Sequence, residues 1–438
     1  MNPSVLALSL LTACQGAPPP LDDPADQTAL AGSASLAHLA AVYPDASTVA
    51  DLFDAEQQPT ATPDPSAWFA AERTAHQALP ALEGGRELKV ISYNVGLLDR
   101  KYLLGLQHVA VPRLEERRPL QLERLFDDGW DMLVLEELWE WEDAQAFESA
   151  AETAGYDAYC GTEKGHSYHG VCLFAREGLV DKTSSQREVF YDTQKGIEKW
   201  PGPGLERAYL EWSFTLAETG EAVVLLGTHL SPFVGDWSIR DHQVRQLGLR
   251  VAELPSDALV LVGGDLNAGP YYTVDTWTTG EEEAVDGFWR NATALPLLAH
   301  YGGLVDARVL VNPPADVAEG DAVPIGGGQT YLQTAYGQEG FCQTHQGTWT
   351  ATDCNGLSFD NYAGDELPSR MDHVWLRDGT GTARVVDGGM AYVEPVESLG
   401  CELSDHYAPW VTLSLGGEPP APEPVVEEEE APEAEGPG

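Results

Sequence analysis

Six short stretches of this 438-residue chain each set a residue able to bind a cation or a phosphate beside an apolar run. Asn94 closes Leu88–Tyr93, Glu136 and Glu137 close Met132–Leu135, and His229 follows Val223–Thr228. Asp265 and Asn267 follow Leu259–Gly264, Asp372 opens a run from Met371, and Asp405 and His406 stand just ahead of Pro409–Leu413. Carboxylate and amide oxygens suit hard divalent cations such as Mg2+, Mn2+ or Ca2+ rather than zinc. Two histidines among several aspartates add acid and base capacity. Taken singly, each stretch reads more readily as a turn or a structural polar residue. Their recurrence beside apolar runs is what points to chemistry.

The elements that must position these groups are readable from the same runs. Leu88–Tyr93, Met132–Leu135, Gly170–Ala175, Ala222–Thr228, Ala258–Val262, Met371–Leu376 and Pro409–Leu413 have the length and composition of strands. Arg113–Asp128, Glu142–Ala154 and Trp237–Leu254 read as helices between them. The elements interleave without the strict alternation of a parallel barrel, which predicts mixed sheets covered by helices. Functional groups in such folds collect where strand ends share one sheet edge.

In their order, the six stretches are similar to the motifs of the endonuclease/exonuclease/phosphatase superfamily. They read ISYN (Ile91–Asn94), VLEELW (Val134–Trp139), GTHL (Gly227–Leu230), GGDLNAGP (Gly263–Pro270), RMDHVW (Arg370–Trp375) and LSDHYAP (Leu403–Pro409). The resemblance spans about residues 87 to 415 and implies a four-layer α/β sandwich, two mixed β-sheets flanked by helices. It also implies a phosphoric ester hydrolase that uses Mg2+, with Mn2+ or Ca2+ as alternatives. Glu137 would ligate the cation with Asn94 and Asp405. Asp265 would position or deprotonate the attacking water, and Asn267 would hold it and a phosphate oxygen. His406, oriented by Asp372, would act as general base or acid, and a cationic His229 would stabilise the transition state. The sequence departs from the family pattern in three places. Glu136 stands where glutamine is usual, which is either neutral or tunes the cation's affinity. His373 stands where tyrosine is usual, and the segment from Val311 to Ser369 is long and rich in Gly and Thr.

The periphery bears on the substrate. The formal net charge is −46; leaving aside residues 15–72 and 418–438, with nine and eight acidic residues, it is −29. Such a balance counts against a protein that grips nucleic acid through its phosphates. Leu97, Leu98 and Tyr102–Leu106, leading to Arg113, Arg117 and Arg118, resemble the Leu- and Arg-rich stretch of neutral sphingomyelinases and related phospholipase C enzymes. So does the region from Asn361 to Asp372. A phospholipid phosphodiester is therefore the expected substrate. A secreted nuclease and a phosphoinositide-type phosphatase are the alternatives.

Four segments are expected. Residues 1–14 end in Leu11-Thr12-Ala13-Cys14, which resembles a bacterial lipobox with Cys14 as the lipidated residue, although the usual early Lys or Arg is missing. The protein would then be exported and membrane-anchored. Residues 15–85 are rich in Ala, Pro and Asp, with possible helices at 46–57 and 66–79. Residues 86–417 form the catalytic domain, and the Pro/Glu/Ala-rich residues 418–438 should be disordered. No run of 18 apolar residues exists to span a bilayer. Export would permit disulfides. Cys342 with Cys354, and Cys160 with Cys172, are the candidate pairs, leaving Cys401 over.

Overall fold

The computed structural model describes residues 82–101, 107–109, 111–161, 169–181, 184–192, 206–232, 237–269, 294–311, 370–379 and 381–417. Cys14, the expected N-terminal helices, the apolar residues 102–106, Cys342, Cys354 and the acidic tail lie outside them.

Two six-stranded mixed sheets carry the chain. In the first, β1 (Arg86–Asn94) runs parallel to β4 (Met132–Glu136). Antiparallel neighbours complete it: β14 (Ala408–Leu415) and β13 (Ala383–Ala391) beyond β1, β6 (Cys172–Arg176) and β5 (Tyr156–Tyr159) beyond β4. In the second, β10 (Leu259–Asp265) runs parallel to β9 (Ala222–His229). Beyond β10 lie β12 (Asp372–Asp378) and β11 (Val305–Asp306), and beyond β9 lie β8 (Ala208–Thr215) and β7 (Ser185–Phe190), again antiparallel. The sheets thus repeat one plan, a central parallel pair with antiparallel flanks. Each pair is joined by a helical crossover, α1 (Leu114–Asp127) in the first sheet and α3 (Trp237–Glu253) in the second. The remaining helices are α2 (Trp141–Thr153), α4 (Ala294–Gly302) and α5 (Ala307–Val311); β2 (Asp99–Lys101) and β3 (Gln107–Val109) pair as a separate ribbon.

Alternation divides the apolar residues between two cores, because successive strand side chains point to opposite faces. Leu88, Val90, Met132 and Val134 of the first sheet pack against Leu225, Leu259, Leu261 and Val374 of the second. Ile91, Tyr93, Leu133, Leu135 and Phe174 turn the other way, against Leu125, Phe126 and Phe147 of α1 and α2. The expected sandwich of two mixed sheets with helices outside is what forms. Among the described residues no helix is long and apolar enough to cross a membrane.

The inter-sheet rows contain two glycines where closeness demands them. A Cβ on Gly227 would sit 2.6 Å from Leu173 Cδ2 and 2.8 Å from Val134 Cγ1; one on Gly263 would sit 2.8 Å from Val134 Cγ2. Both lie two residues before a site residue, His229 and Asp265 respectively, so the sheets approach closely just beneath the site. Gly227→Val should cost about 1–3 kcal/mol of stability through overpacking. Urea denaturation reads this directly, and an unchanged midpoint would show that the sheets separate there without penalty.

Cys160 and Cys172 form a disulfide, joining the end of β5's strand segment to the start of β6, as the spacing suggests. Cys401 is free and buried.

Candidate active site

The repeated sheet plan brings the polar strand ends together. The C-terminal ends of a parallel pair and the N-terminal ends of its antiparallel neighbours share one edge. Asn94 pairs in register with Glu136 across β1 and β4. On the second sheet Asp265 pairs with His229 on one side and with Asp372 on the other. By alternation all five continue the inward-facing apolar rows, so both sheets aim their final residues into the same gap. Asp405 and His406 arrive on the turn just before β14. Asn94, His229, Asp265, Asp372, Asp405 and His406 are all buried, while Glu137 and Asn267 are partly so.

Asp265 is the hub. Its Oδ2 accepts a hydrogen bond from Asn94 Nδ2 at 2.9 Å, and its Oδ1 accepts one from the Asn267 backbone N–H at 2.7 Å. His229 Nε2 lies 3.5 Å from Asp265 Oδ2, and His406 Nε2 lies 4.0 Å from the same oxygen. On its far side, His406 Nδ1 lies 2.8 Å from Asp372 Oδ2. The Asn94 carboxamide is fixed at both ends, its Oδ1 accepting from the Gly96 N–H at 3.0 Å. Asn267 Nδ2 donates to the Leu230 carbonyl at 3.1 Å, tying the loop after β10 to that after β9. Ser404 Oγ donates to the Asn94 carbonyl at 2.7 Å and so joins the loops carrying Asn94 and Asp405.

Two of these residues hold left-handed backbone, Glu137 at φ 65° and Asn267 at φ 47°. Such conformations outside glycine persist where surroundings over-determine them, and they cluster at functional sites. Here each reverses the chain at a strand end.

The carboxyl groups crowd one another. Burial, then the Asp405 charge, pushes Glu137 up to about 7. Burial and Asp372 push Asp265 up to about 6. For His406, burial alone would favour the neutral ring, but Asp372 and Asp405 outweigh it and hold the imidazole well above its usual value. Burial, followed by Arg207 and His406, pushes His229 well below the usual range. That shift favours the neutral ring in the substrate-free protein, where the sequence resemblance implies a cationic one beside the phosphate.

Buried carboxylates that repel one another are a donor set in need of a cation. Ligand atoms of Asp265, Asp372 and His406 lie within 4.8 Å of each other. Of these, Asp372 Oδ2 and His406 Nδ1 already face each other in a hydrogen bond. Glu137 and Asp405, in mutual repulsion, are left as oxygens for a hard cation. Glu136 is different. It is fully buried, accepts a hydrogen bond from Ser92 Oγ at 3.0 Å, and burial and Asp372 push it well above the carboxylate range. That shift favours the neutral acid, which has the charge and the donor of the usual glutamine.

The arginines ahead of β4 are absorbed by the fold. Arg117 donates to the carbonyls of Pro112, Val95 and Leu403 at 2.9, 3.0 and 2.8 Å, and to that of Gly96. Gln121 donates to the Val95 and Leu403 carbonyls at 2.8 and 2.7 Å. Together they clamp the loops bearing Asn94 and Asp405. Arg118 pairs with Asp143 at 2.6 Å, and Arg113 donates to the Leu399 carbonyl. The second crossover helix repeats the device: Arg240 donates to the Ser231 carbonyl at 3.0 Å, and Gln243 accepts from the Ser231 N–H at 3.0 Å. The arginines of the Leu- and Arg-rich stretch, Arg113, Arg117 and Arg118, are thus engaged with backbone carbonyls and with Asp143.

Arg207 escaped the sequence reading. Its guanidinium lies 4.9 Å from the centre of the Trp139 ring, which lies 5.4 Å from the His229 imidazole. Its charge is felt by both Glu137 and His229. A polar residue ahead of an apolar run was the available signal, as at Asp372; Arg207 directly precedes Ala208–Thr215.

The sequence profile of the Endonuclease/Exonuclease/phosphatase family matches residues 91–406, from the strand bearing Asn94 to His406. The chain belongs to this family. Solved structures are similar to it at low identity. TDP2 of D. rerio in complex with single-strand DNA product is 17% identical, with 75% of this chain and 98% of that one covered and a TM-score of 0.47. A family member from Bacteroides thetaiotaomicron is 15% identical, covering 76% and 98% with a TM-score of 0.47. The human Nocturnin catalytic domain with bound sulfate is 17% identical, covering 75% and 94% with a TM-score of 0.43. No curated protein matches the chain.

Proposed function

We propose that this family member hydrolyses a phosphodiester by in-line attack of water, with a divalent cation, Mg2+ first, held by Glu137 and Asp405 beside Asn94. The observation that carries the reading is the coupling of Asp265, His406 and Asp372 through one line of contacts within a crowd of buried carboxylates. The cation would supply charge neutralisation at the phosphoryl oxygens. Asp265, fixed by Asn94 and the Asn267 amide, orients the attacking water and accepts its proton. His406, its ring fixed by Asp372 at Nδ1, presents Nε2 for proton transfer. His229 offers a hydrogen bond to a phosphoryl oxygen, and Arg207 adds positive charge beside it where negative charge develops.

For the substrate we favour a lipid-type phosphodiester. Support comes from the −29 charge of the chain without its acidic ends. A surface of that sign repels a polyanion, whereas a single headgroup phosphate needs only local cations. The lipobox-like Cys14 would place the enzyme at a membrane, outside the cytoplasm. The test is hydrolysis by the full chain of sphingomyelin vesicles and of DNA in parallel, with Mg2+ and with EDTA. Cation-dependent release of phosphocholine with DNA untouched is the expected result. Cation-dependent DNA cleavage alone would overturn the lipid assignment and move the protein to the nuclease branch.

A further inference from the structure

His373, the residue that replaces the usual tyrosine, is fully buried and has two partners. Its Nδ1 lies 2.9 Å from Oδ2 of Asp306, and its Nε2 lies 3.1 Å from the carbonyl oxygen of Ala268. A carboxylate and a carbonyl only accept, so satisfying both requires a proton on each ring nitrogen. A tyrosine hydroxyl has one proton and could serve only one of them. Asp306 is the counter-charge. Burial alone would raise its carboxyl, but Arg370 and the His373 bond hold it far below the usual carboxylate range. The backbone N–H of Arg308 also donates to its other oxygen, at 3.1 Å.

The Ala268 carbonyl belongs to the loop that carries Asn267. That loop is laid against the residues leading into the strand of Asp372 and His373 at two further points. The Leu266 N–H donates to the Met371 carbonyl at 2.9 Å. A Cβ on Gly269 would stand 1.6 Å from the Arg370 carbonyl oxygen, so only glycine permits this approach. Between them Asn267 adopts its left-handed turn and caps Asp265.

We propose that Asp306 and His373 form a buried brace which, through the Ala268 carbonyl, fixes the Leu266–Gly269 loop and thereby the placement of Asn267 on Asp265. His373 is a positioning residue: it touches the loop and never the reacting atoms. The kinetic consequence rests on the phosphodiesterase reading; the brace itself does not.

The experiment compares wild type, His373→Gln and Asp306→Asn, all as full chains, by amide hydrogen exchange and by Mg2+-dependent cleavage of bis(p-nitrophenyl) phosphate. Both variants should exchange the Leu266 and Asn267 amides faster by about tenfold, with the β10 amides unchanged, and lose about 10–100-fold in kcat at nearly constant KM. Wild-type exchange rates at Leu266 and Asn267 in both variants would overturn the brace, whatever the kinetics. If wild type itself cleaves nothing, the functional reading fails while the exchange data still decide the brace. Should neither variant fold, 15N-histidine spectra of wild type decide: a buried ring with both nitrogens protonated and bonded, beyond that of His406, supports the brace. Its absence overturns it.

Discussion

His406→Ala and Asp265→Ala should each lower turnover by about 10²–10⁴-fold, the usual scale for a proton-transfer group or a preorganised electrostatic one. The two act as a unit, since His406 Nε2 and Asp265 Oδ2 lie 4.0 Å apart and share the same reacting region. Their effects should therefore not add; the double variant loses little beyond the worse single one. Loss of fold is not the expected cause. Asp265 sits among like charges with its carboxyl pushed up to about 6, so removing it relieves repulsion while forfeiting two hydrogen bonds. Steady-state kinetics beside a denaturation curve separates the two origins. A variant that is folded and near normal in rate would remove that residue from the chemistry.

Divalent-cation removal should abolish turnover and reverse the pH dependence of stability. In the cation-free protein Glu137 is pushed up to about 7 and Asp265 up to about 6, each above its unfolded value. A carboxyl raised in this way contributes stability that is full below its unfolded pKa and is lost as pH rises through the folded one. The cation-free protein should thus lose roughly 2–4 kcal/mol between about pH 4 and pH 8, the coupled shifts not adding in full. Mg2+ competes with protons for the Glu137 oxygens, so it should stabilise more at the alkaline end, by about 2.7 kcal/mol at a hundredfold excess over Kd. Thermal melts with Mg2+ and with EDTA across this range provide the check. A melting temperature indifferent to Mg2+ at alkaline pH would sink the cation assignment, even if some hydrolysis were found.

The strands that carry chemistry were legible because burial on both faces makes their apolar runs continuous, and a polar residue at the end of such a run stands out. Strands β7 and β13 left no such trace. Ser185–Phe190 lies at a sheet edge with largely exposed side chains. Ala383–Ala391 is another edge strand, only partly buried, with a register shift at Val385–Asp387 and two glycines after it. Neither edge needs alternation, so neither shows it. The site residues were legible by type, but not the braces. Arg117 and Gln121 bond to carbonyls, which every residue has, so nothing in the sequence distinguishes an arginine that clamps two loops from one that meets a substrate. The upward shift of the Glu136 carboxyl was illegible for the same reason: it depends on burial and on Asp372 from another strand.

The order in which strands enter the two sheets has a consequence for synthesis. The first sheet takes its strands from both ends of the domain, with Arg86 at the start of β1 opposite Leu415 at the end of β14. The second sheet is built wholly from the sequence between them. Asp405 and His406 precede the last strand, so a nascent chain carries Asn94, His229 and Asp265 long before it has its proton-transfer histidine. On the proposed mechanism, turnover would begin only once the final strand closes the first sheet against β1. Chains cut short of that strand would then be silent, because they would lack Asp405 and His406 or the sheet that seats them.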